Sequence, residues 1–233
     1  MSLAGFAMAD MHKLTTLDFP GVVSAIVFTQ GCNFHCPYCH NPQLIASTGK
    51  QPLLDTESVF SFLRKRAGLL DGLVISGGEP CVQTGLPDFC REVKQLGYAV
   101  KLDTNGSRPE RLALLLAEGL VDYVAMDCKT APDHYYPSLC GEREVASNIV
   151  KSSETIKQSG IDHEFRTTCF RPFVSSDTIQ DMASRFVGDS PWFFQKGNLS
   201  DAMQGKGLAA CSNSEITGMA EQAGLVCPDV RLR

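Results

Sequence analysis

The chain is 233 residues long with 43% hydrophobic and 20% charged side chains, a composition that excludes a disordered or fibrous protein. Its net charge of −5, from 21 basic and 26 acidic residues, has the wrong sign for a protein that grips nucleic-acid phosphates. No apolar run reaches the ~20 residues of a membrane-spanning helix. Residues 1–13 carry neither a basic nor an apolar leader region, so no secretory signal is read there, and the small residues at 2–9 read as a frayed end. Residues 22–29 (VVSAIVFT) are β-branched and apolar and predict a buried strand. A helix follows at 56–66, with Val59, Phe60 and Leu63 at helical spacing and Asp55 or Thr56 as its cap. A short strand at 73–76 stops at Gly77-Gly78, and a helix over 86–96 ends at Gly97. Strand 98–103 stops at Thr104-Asn105-Gly106, and helix 109–118 opens on a proline. Strand 122–126, helix 146–158, strand 163–168, helix 177–186 and strand 192–195 continue the alternation. After Lys196 the pattern weakens: Gly197, Gly205 and Gly207 mark a loop, and 214–222 predicts one more helix.

Apolar strands alternating about six times with amphipathic helices predict parallel strands with helices outside. A complete eightfold barrel takes ~250 residues, so six strand–helix units fit here and eight do not. The expected fold is α/β, an incomplete (β/α)6 TIM-like barrel; a doubly wound open sheet has the same local pattern. One domain is expected over residues 1–233, with a core at about 13–196 and an extension at 197–233.

Chemistry in such folds collects where the parallel strands end. There the sequence places Cys32, Cys36, Tyr38 and Cys39; Gly77-Gly78-Glu79-Pro80; Asp103-Thr104-Asn105; Asp127 and Lys129; Arg166; and Gln195-Lys196. Ten cysteines without a secretory signal read as thiols of a reducing, cytoplasmic compartment. Three of them crowd into the eight residues 32–39, offering soft thiolates to an iron–sulfur cluster or to zinc with an outside ligand. With no fourth cysteine nearby, a four-iron cluster would keep one iron open to a substrate. Three unliganded thiols are the plain alternative. Paired glycines let a ligand approach the backbone, and Glu79 can accept from an ammonium; an ordinary strand–helix turn begun by Pro80 explains the same tetrapeptide. Asp103-Thr104-Asn105 suits a hydroxyl, a carboxylate or a small cation, or is a plain Asn-Gly turn. Asp127 with Lys129 forms a ligand clamp or a pair of surface charges. Arg166 binds a carboxylate or faces outward. Tyr38 shields a cluster, stacks on a base or packs in the core. His35 and His40 read as loop packing, and Cys81 and Cys128 as buried small hydrophobes.

Cys32-x3-Cys36-x2-Cys39, with Tyr38 before the third cysteine, an apolar strand before the loop and Gly-Gly-Glu-Pro at the next strand end, resembles the signature of the radical SAM superfamily. The closer resemblance is to activating enzymes of glycyl-radical proteins. Leu17-Asp18-Phe19-Pro20-Gly21, Phe28-Thr29-Gln30-Gly31-Cys32, Cys39-His40-Asn41-Pro42, Leu102-Asp103-Thr104-Asn105-Gly106 and Tyr123-Val124-Ala125-Met126-Asp127 look like anaerobic ribonucleoside-triphosphate reductase activating proteins. Cys81 and Cys128 depart from that pattern, standing where a hydroxyl residue and an aliphatic are usual.

The resemblance implies that Cys32, Cys36 and Cys39 hold a [4Fe–4S] cluster whose open iron chelates S-adenosylmethionine. Gly77, Gly78 and Glu79 would meet its amino group, Asp103, Thr104 and Asn105 would lie near its carboxylate and ribose, and Asp127, Lys129 and Arg166 would line the rest of the pocket. A monovalent cation near Asp103, Thr104, Met126 and Asp127 is part of the same implication. So is the chemistry: reductive cleavage to a 5′-deoxyadenosyl radical that takes hydrogen from a glycine of a partner such as anaerobic ribonucleotide reductase, fed by a flavodoxin- or ferredoxin-type donor. The rivals are a pyruvate formate-lyase type partner, a small-molecule substrate, and a zinc or electron-transfer module that is not an enzyme. No nucleic-acid or membrane partner is expected.

Overall fold

The computed structural model describes residues 4–46, 52–199, 203 and 207–233. The chain divides into two compact units: Met1–Asn33, Gln43–Thr104 and Glu110–Val124 in one, and Phe34–Pro42, Asn105–Pro109 and Ala125–Arg233 in the other. Each unit collects pieces from several parts of the sequence, so no single linker marks their boundary.

The first unit is built on strands β1 (Met8–Thr15), β2 (Ser24–Thr29), β3 (Gly72–Gly77) and β4 (Ala99–Thr104), hydrogen-bonded in that order. β1 runs antiparallel to β2, and β2, β3 and β4 are parallel. Helices α1 (Thr56–Arg66), α2 (Leu86–Gln95) and α3 (Pro109–Ala117) follow the parallel strands. Ala25, Val27, Leu73, Val74, Ile75, Val100 and Leu102 are buried, which is why these strands read as apolar runs. α1 starts where the cap predicts, Asp55 accepting from the Ser58 N–H at 2.9 Å.

β1 meets the expected frayed end at 2–9 only at Met8 and Ala9, which lie in the strand; residues 4–7 lie in no helix or strand, and 2–3 fall outside the described residues. Its sequence, MADMHKLT, is polar and mostly open to solvent, as an edge strand's is, so no apolar run announces it. Pairing with β2 orders it: Met8 lies opposite Thr29 and Met11 opposite Val27.

The second unit carries the end of β5 (Tyr123–Asp127), then α4 (Val145–Ser159), β6 (Asp162–Arg171), α5 (Ser176–Met182), β7 (Trp192–Lys196), β8 (Ala209–Ala210), α6 (Asn213–Ala223) and β9 (Val230–Leu232). β5, β6, β7 and β9 are neighbours in that order, and β8 lies antiparallel on β6. α4 ends at Gly160 in the left-handed conformation. The helix expected over 177–186 is shorter: α5 stops at Met182, and Ala183–Val187 continues as a π-helical turn. Of the loop glycines, Gly205 lies outside the described residues.

In each unit the strands stand side by side in chain order without reversal. A doubly wound sheet instead reverses its order at a switch point, where its ligand binds. The order is therefore that of a (β/α) barrel, and the path ends at β1 and β9 rather than closing on itself.

β9 completes the edge of β7 and brings Arg233 to a buried acid. Both arginine Nη atoms bond the Glu164 carboxylate, at 3.1 and 2.9 Å, and the guanidinium lies 3.7 Å from the Phe193 ring centroid. Glu164 is 1% exposed but Arg233 is 39% exposed, so solvent screens the pair and losing the arginine costs about 1 kcal/mol rather than the cost of a fully buried pair. Arg233→Ala should therefore lower Tm by roughly 2–4 °C in a chain of this size. A melting curve that matches wild type would mean the pair adds nothing to stability.

Candidate active site

In the first unit, β2 and β3 end side by side, Thr29 opposite Gly77. The Gly78 N–H donates to the Thr29 carbonyl and the Glu79 N–H to the Gly31 carbonyl, both at 2.9 Å. Gly77 has φ +111°, and a Cβ there would fall 2.3 Å from the Thr29 nitrogen. A Cβ at Gly78 would fall 2.1 Å from the Gly31 oxygen. Both glycines are thus required by the chain's own backbone, whatever ligand arrives later.

Glu79 is 1% exposed and held by two donors on Oε1: the Cys81 N–H at 3.0 Å and the Thr104 hydroxyl at 2.7 Å. The strand ends of β3 and β4 thereby fix one carboxylate. Pro80–Val82 form a 3-10 turn, as the plain-turn explanation of this tetrapeptide expects. Asp103 lies 3.4 Å from the ammonium of Lys101, which is itself buried, donates to the Asp18 carbonyl and stands 5.5 Å from the Tyr123 ring centroid. Lys101 escaped the sequence reading. A lysine in a strand of valine and leucine was the available signal, since a buried cation needs a partner. Its ammonium supplies positive charge where a cation was expected beside Asp103.

In the second unit, Asp127 at the end of β5 sits between two cations. Arg166 Nε bonds its Oδ1 at 3.0 Å and Lys129 Nζ its Oδ2 at 3.1 Å. Arg166 therefore faces a carboxylate of the chain itself. Burial would raise the Asp127 pKa, but Arg166 and Lys129 bring it down from 3.8 to about 2. A depressed carboxyl contributes stability above its unfolded pKa and loses it as pH falls through the folded value. About a third of the side chain is open, so solvent screens part of the effect. The stability advantage of wild type over Asp127→Asn should be constant above about pH 4 and shrink between pH 4 and 2. Urea midpoints measured across that range test this, and an advantage independent of pH would break the assignment.

Thr167 and Trp192 brace this strand end. The Trp192 indole donates to the Thr167 hydroxyl at 2.9 Å, which donates to the Cys128 carbonyl at 2.7 Å. Cys128 and Cys81 are buried, as expected of packing residues. Asn105 turns onto its own chain, accepting from the Ser107 N–H at 2.9 Å, and Gly106 has φ +74°. His35 is exposed and is held by hydrogen bonds rather than packing, its backbone N–H donating to the Leu139 carbonyl at 2.9 Å. Tyr38 is buried, stacked on Phe170 (centroids 5.1 Å apart, 25° between planes) and met edge-on by Phe173 at 5.1 Å. One face available for a nucleobase is thereby taken. Nothing in the cysteine loop's sequence named these two distant partners.

All ten cysteines are free thiols, and seven are buried; Cys32, Cys36 and Cys39 are the three with solvent access. Burial pushes the Cys36 thiol up to about 11, while the Lys129 ammonium pulls the other way. Among the described residues no three His, Cys, Asp or Glu side chains converge on a single ion. An iron–sulfur cluster asks for thiolates on separate irons, and three thiols with solvent access, one of them near the Lys129 ammonium, fit it. The donor set therefore suits a thiolate-held cluster.

Comparison with known proteins follows the same line. The sequence profile of the radical SAM superfamily matches residues 26–185. A Methanocaldococcus jannaschii protein assigned as a glycyl-radical enzyme activating enzyme is 36% identical over 202 residues, 84% of this chain and 81% of its own length. The pyruvate formate-lyase-activating enzyme of Clostridium pasteurianum is 31% identical over 159 residues, 64% of this chain and 65% of its own. Among solved structures, a radical SAM methyltransferase from Sphaerobacter thermophilus superposes with a TM-score of 0.66 at 14% identity, covering 94% of this chain and 68% of that one.

Proposed function

The chain belongs to the radical SAM superfamily, and from that membership we propose that it activates a glycyl-radical protein. As a member it is an oxidoreductase that uses a [4Fe–4S] cluster and S-adenosylmethionine, with the incomplete α/β barrel of the family. The observation that carries the proposal is the 36% identity spread over 84% of the chain to an assigned activase. When bound, the two cofactors supply reductive cleavage of the sulfonium and abstraction of a hydrogen atom from the target.

The protein's part is holding and orientation. Cys32, Cys36 and Cys39 would ligate the cluster. Glu79, fixed by Cys81 and Thr104, would accept from the methionine ammonium beside Gly77 and Gly78. Lys129 and Arg166 would meet the carboxylate while Asp127 keeps both cations in place. Asp103, Thr104 and Asn105 would lie nearer the ribose. The whole chain would act as one functional domain, the segment after Lys196 included. A cation at Asp103 would meet the Lys101 ammonium already there, and one at Asp127 would meet Lys129 and Arg166.

For the partner, the segments around Leu17–Gly21 and Leu102–Gly106 favour an anaerobic ribonucleotide reductase. The Clostridium relative supports a pyruvate formate-lyase type partner equally. A low-potential flavodoxin or ferredoxin would deliver the electron. A cytoplasmic setting goes with this reading, because free thiols need a reducing compartment. No helix among the described residues is long and apolar enough to cross a membrane.

The test is anaerobic. Reconstituted protein, dithionite and S-adenosylmethionine are incubated with each candidate glycyl-radical protein. 5′-Deoxyadenosine is assayed, and the partner is examined by electron paramagnetic resonance. A glycyl doublet on one candidate names the partner. Cofactor cleavage with no doublet on any protein candidate would turn the assignment toward a small-molecule substrate.

A further inference from the structure

The Tyr38 hydroxyl is buried and has no hydrogen-bond partner among the described residues. A buried phenol normally finds one, and leaving a hydroxyl unsatisfied is costly. The group cannot swing out to water, because Phe170 covers one face of its ring and Phe173 abuts it edge-on. Its polar neighbours are engaged with one another. The Tyr135 hydroxyl accepts from the Lys129 N–H at 2.8 Å, and the Lys129 ammonium and Arg166 both hold Asp127. Cys36 lies close enough to act on the phenol electrostatically. In sequence Tyr38 stands between two cysteines with solvent access, Cys36 and Cys39, whose backbones close a turn, the Cys39 N–H donating to the Cys36 carbonyl at 3.0 Å. The missing partner is thus an acceptor delivered to this loop.

We propose that the Tyr38 hydroxyl donates a hydrogen bond to a sulfur of the cluster held by Cys36 and Cys39, and so sets the potential at which that cluster accepts its electron. This rests on the cluster assignment above. Hydrogen bonds to cluster sulfurs are one of the terms that fix reduction potential. A donor at sulfur stabilises the extra negative charge of the reduced state, which raises the potential. Tyr38 is accordingly a positioning and tuning residue; the ligands remain the cysteines.

The experiment compares wild type with Tyr38→Phe, which keeps the ring between Phe170 and Phe173 and removes only the hydroxyl. Both are reconstituted anaerobically, assayed for iron and sulfide, and titrated with redox dyes under electron paramagnetic resonance without S-adenosylmethionine. The expected result is equal cluster content and a more negative midpoint potential in the variant. An unchanged potential at full loading overturns the proposal, and so does an unchanged potential with altered S-adenosylmethionine affinity, which would put the hydroxyl on the nucleoside. Wild type that takes up no cluster overturns the underlying cluster assignment, a separate failure seen in the iron assay. Should Tyr38→Phe lose its cluster, protein carrying fluorotyrosine in place of tyrosine gives the second measurement. Its more acidic phenol is a stronger donor, so the potential should rise, and no rise would sink the idea.

Discussion

Cys36→Ala is expected to bind little iron after reconstitution and to form no 5′-deoxyadenosine above background. The loop offers three thiols with solvent access and no described substitute: the other seven cysteines are buried in packing. On the proposed ligand set, removing one thiol leaves two, too few to hold a cluster that has no fourth cysteine in its loop. The contrast is Cys90→Ala. Cys90 is fully buried on α2, so its loss should cost stability through a small cavity, about 1 kcal/mol, while cluster content and cleavage remain. Iron and sulfide analysis with product chromatography separates the two. Full cleavage by Cys36→Ala would remove the cluster assignment. Loss of cleavage in both variants would point to general unfolding.

Gly78→Ala should lower stability sharply and weaken S-adenosylmethionine binding together. The added methyl carbon would sit 2.1 Å from the Gly31 oxygen and 3.2 Å from the Leu44 oxygen, both backbone atoms. No flexible side chain can yield there. The Gly31 carbonyl also accepts the Glu79 N–H, and the Gly31 N–H donates to Leu44. Relief of the clash therefore moves the end of β2, next to Cys32, or the peptide that carries Glu79. Overpacking of this kind costs about 3 kcal/mol, which lowers Tm by roughly 6–12 °C in a domain of this size. Calorimetry of the cluster-free protein reads the stability effect, and equilibrium dialysis of the reconstituted protein reads the ligand effect. A variant with wild-type melting would mean the loop has more room than these distances allow.

Several features were open to inspection along the chain because their causes are local. Three cysteines in eight residues need no fold to be seen. Asp55 caps α1 three residues from the N–H it accepts, and Gly160 ends α4 by its own φ. Strands buried on both faces, such as β3, must be apolar throughout, so Leu73–Ile75 identify themselves. Other features depend on partners far away in sequence. β1 is polar because it is an edge, and pairing with β2 alone makes it a strand. Tyr38 read equally well as a cluster shield, a base stack or a core aromatic until Phe170 and Phe173 closed around it.

The alternation of strands and helices, the cysteine loop and the polar residues at the strand ends are legible along the chain, since each rests on propensity, periodicity or spacing within a few residues. The strands' keeping of chain order, the fixing of Glu79 by Thr104 and the sharing of Asp127 by Arg166 and Lys129 emerge only on folding. So does the placing of Lys101 beside Asp103. Those outcomes depend on which desolvated charges and unpaired donors find each other once the backbone is folded, and burial makes leaving any of them unpaired costly.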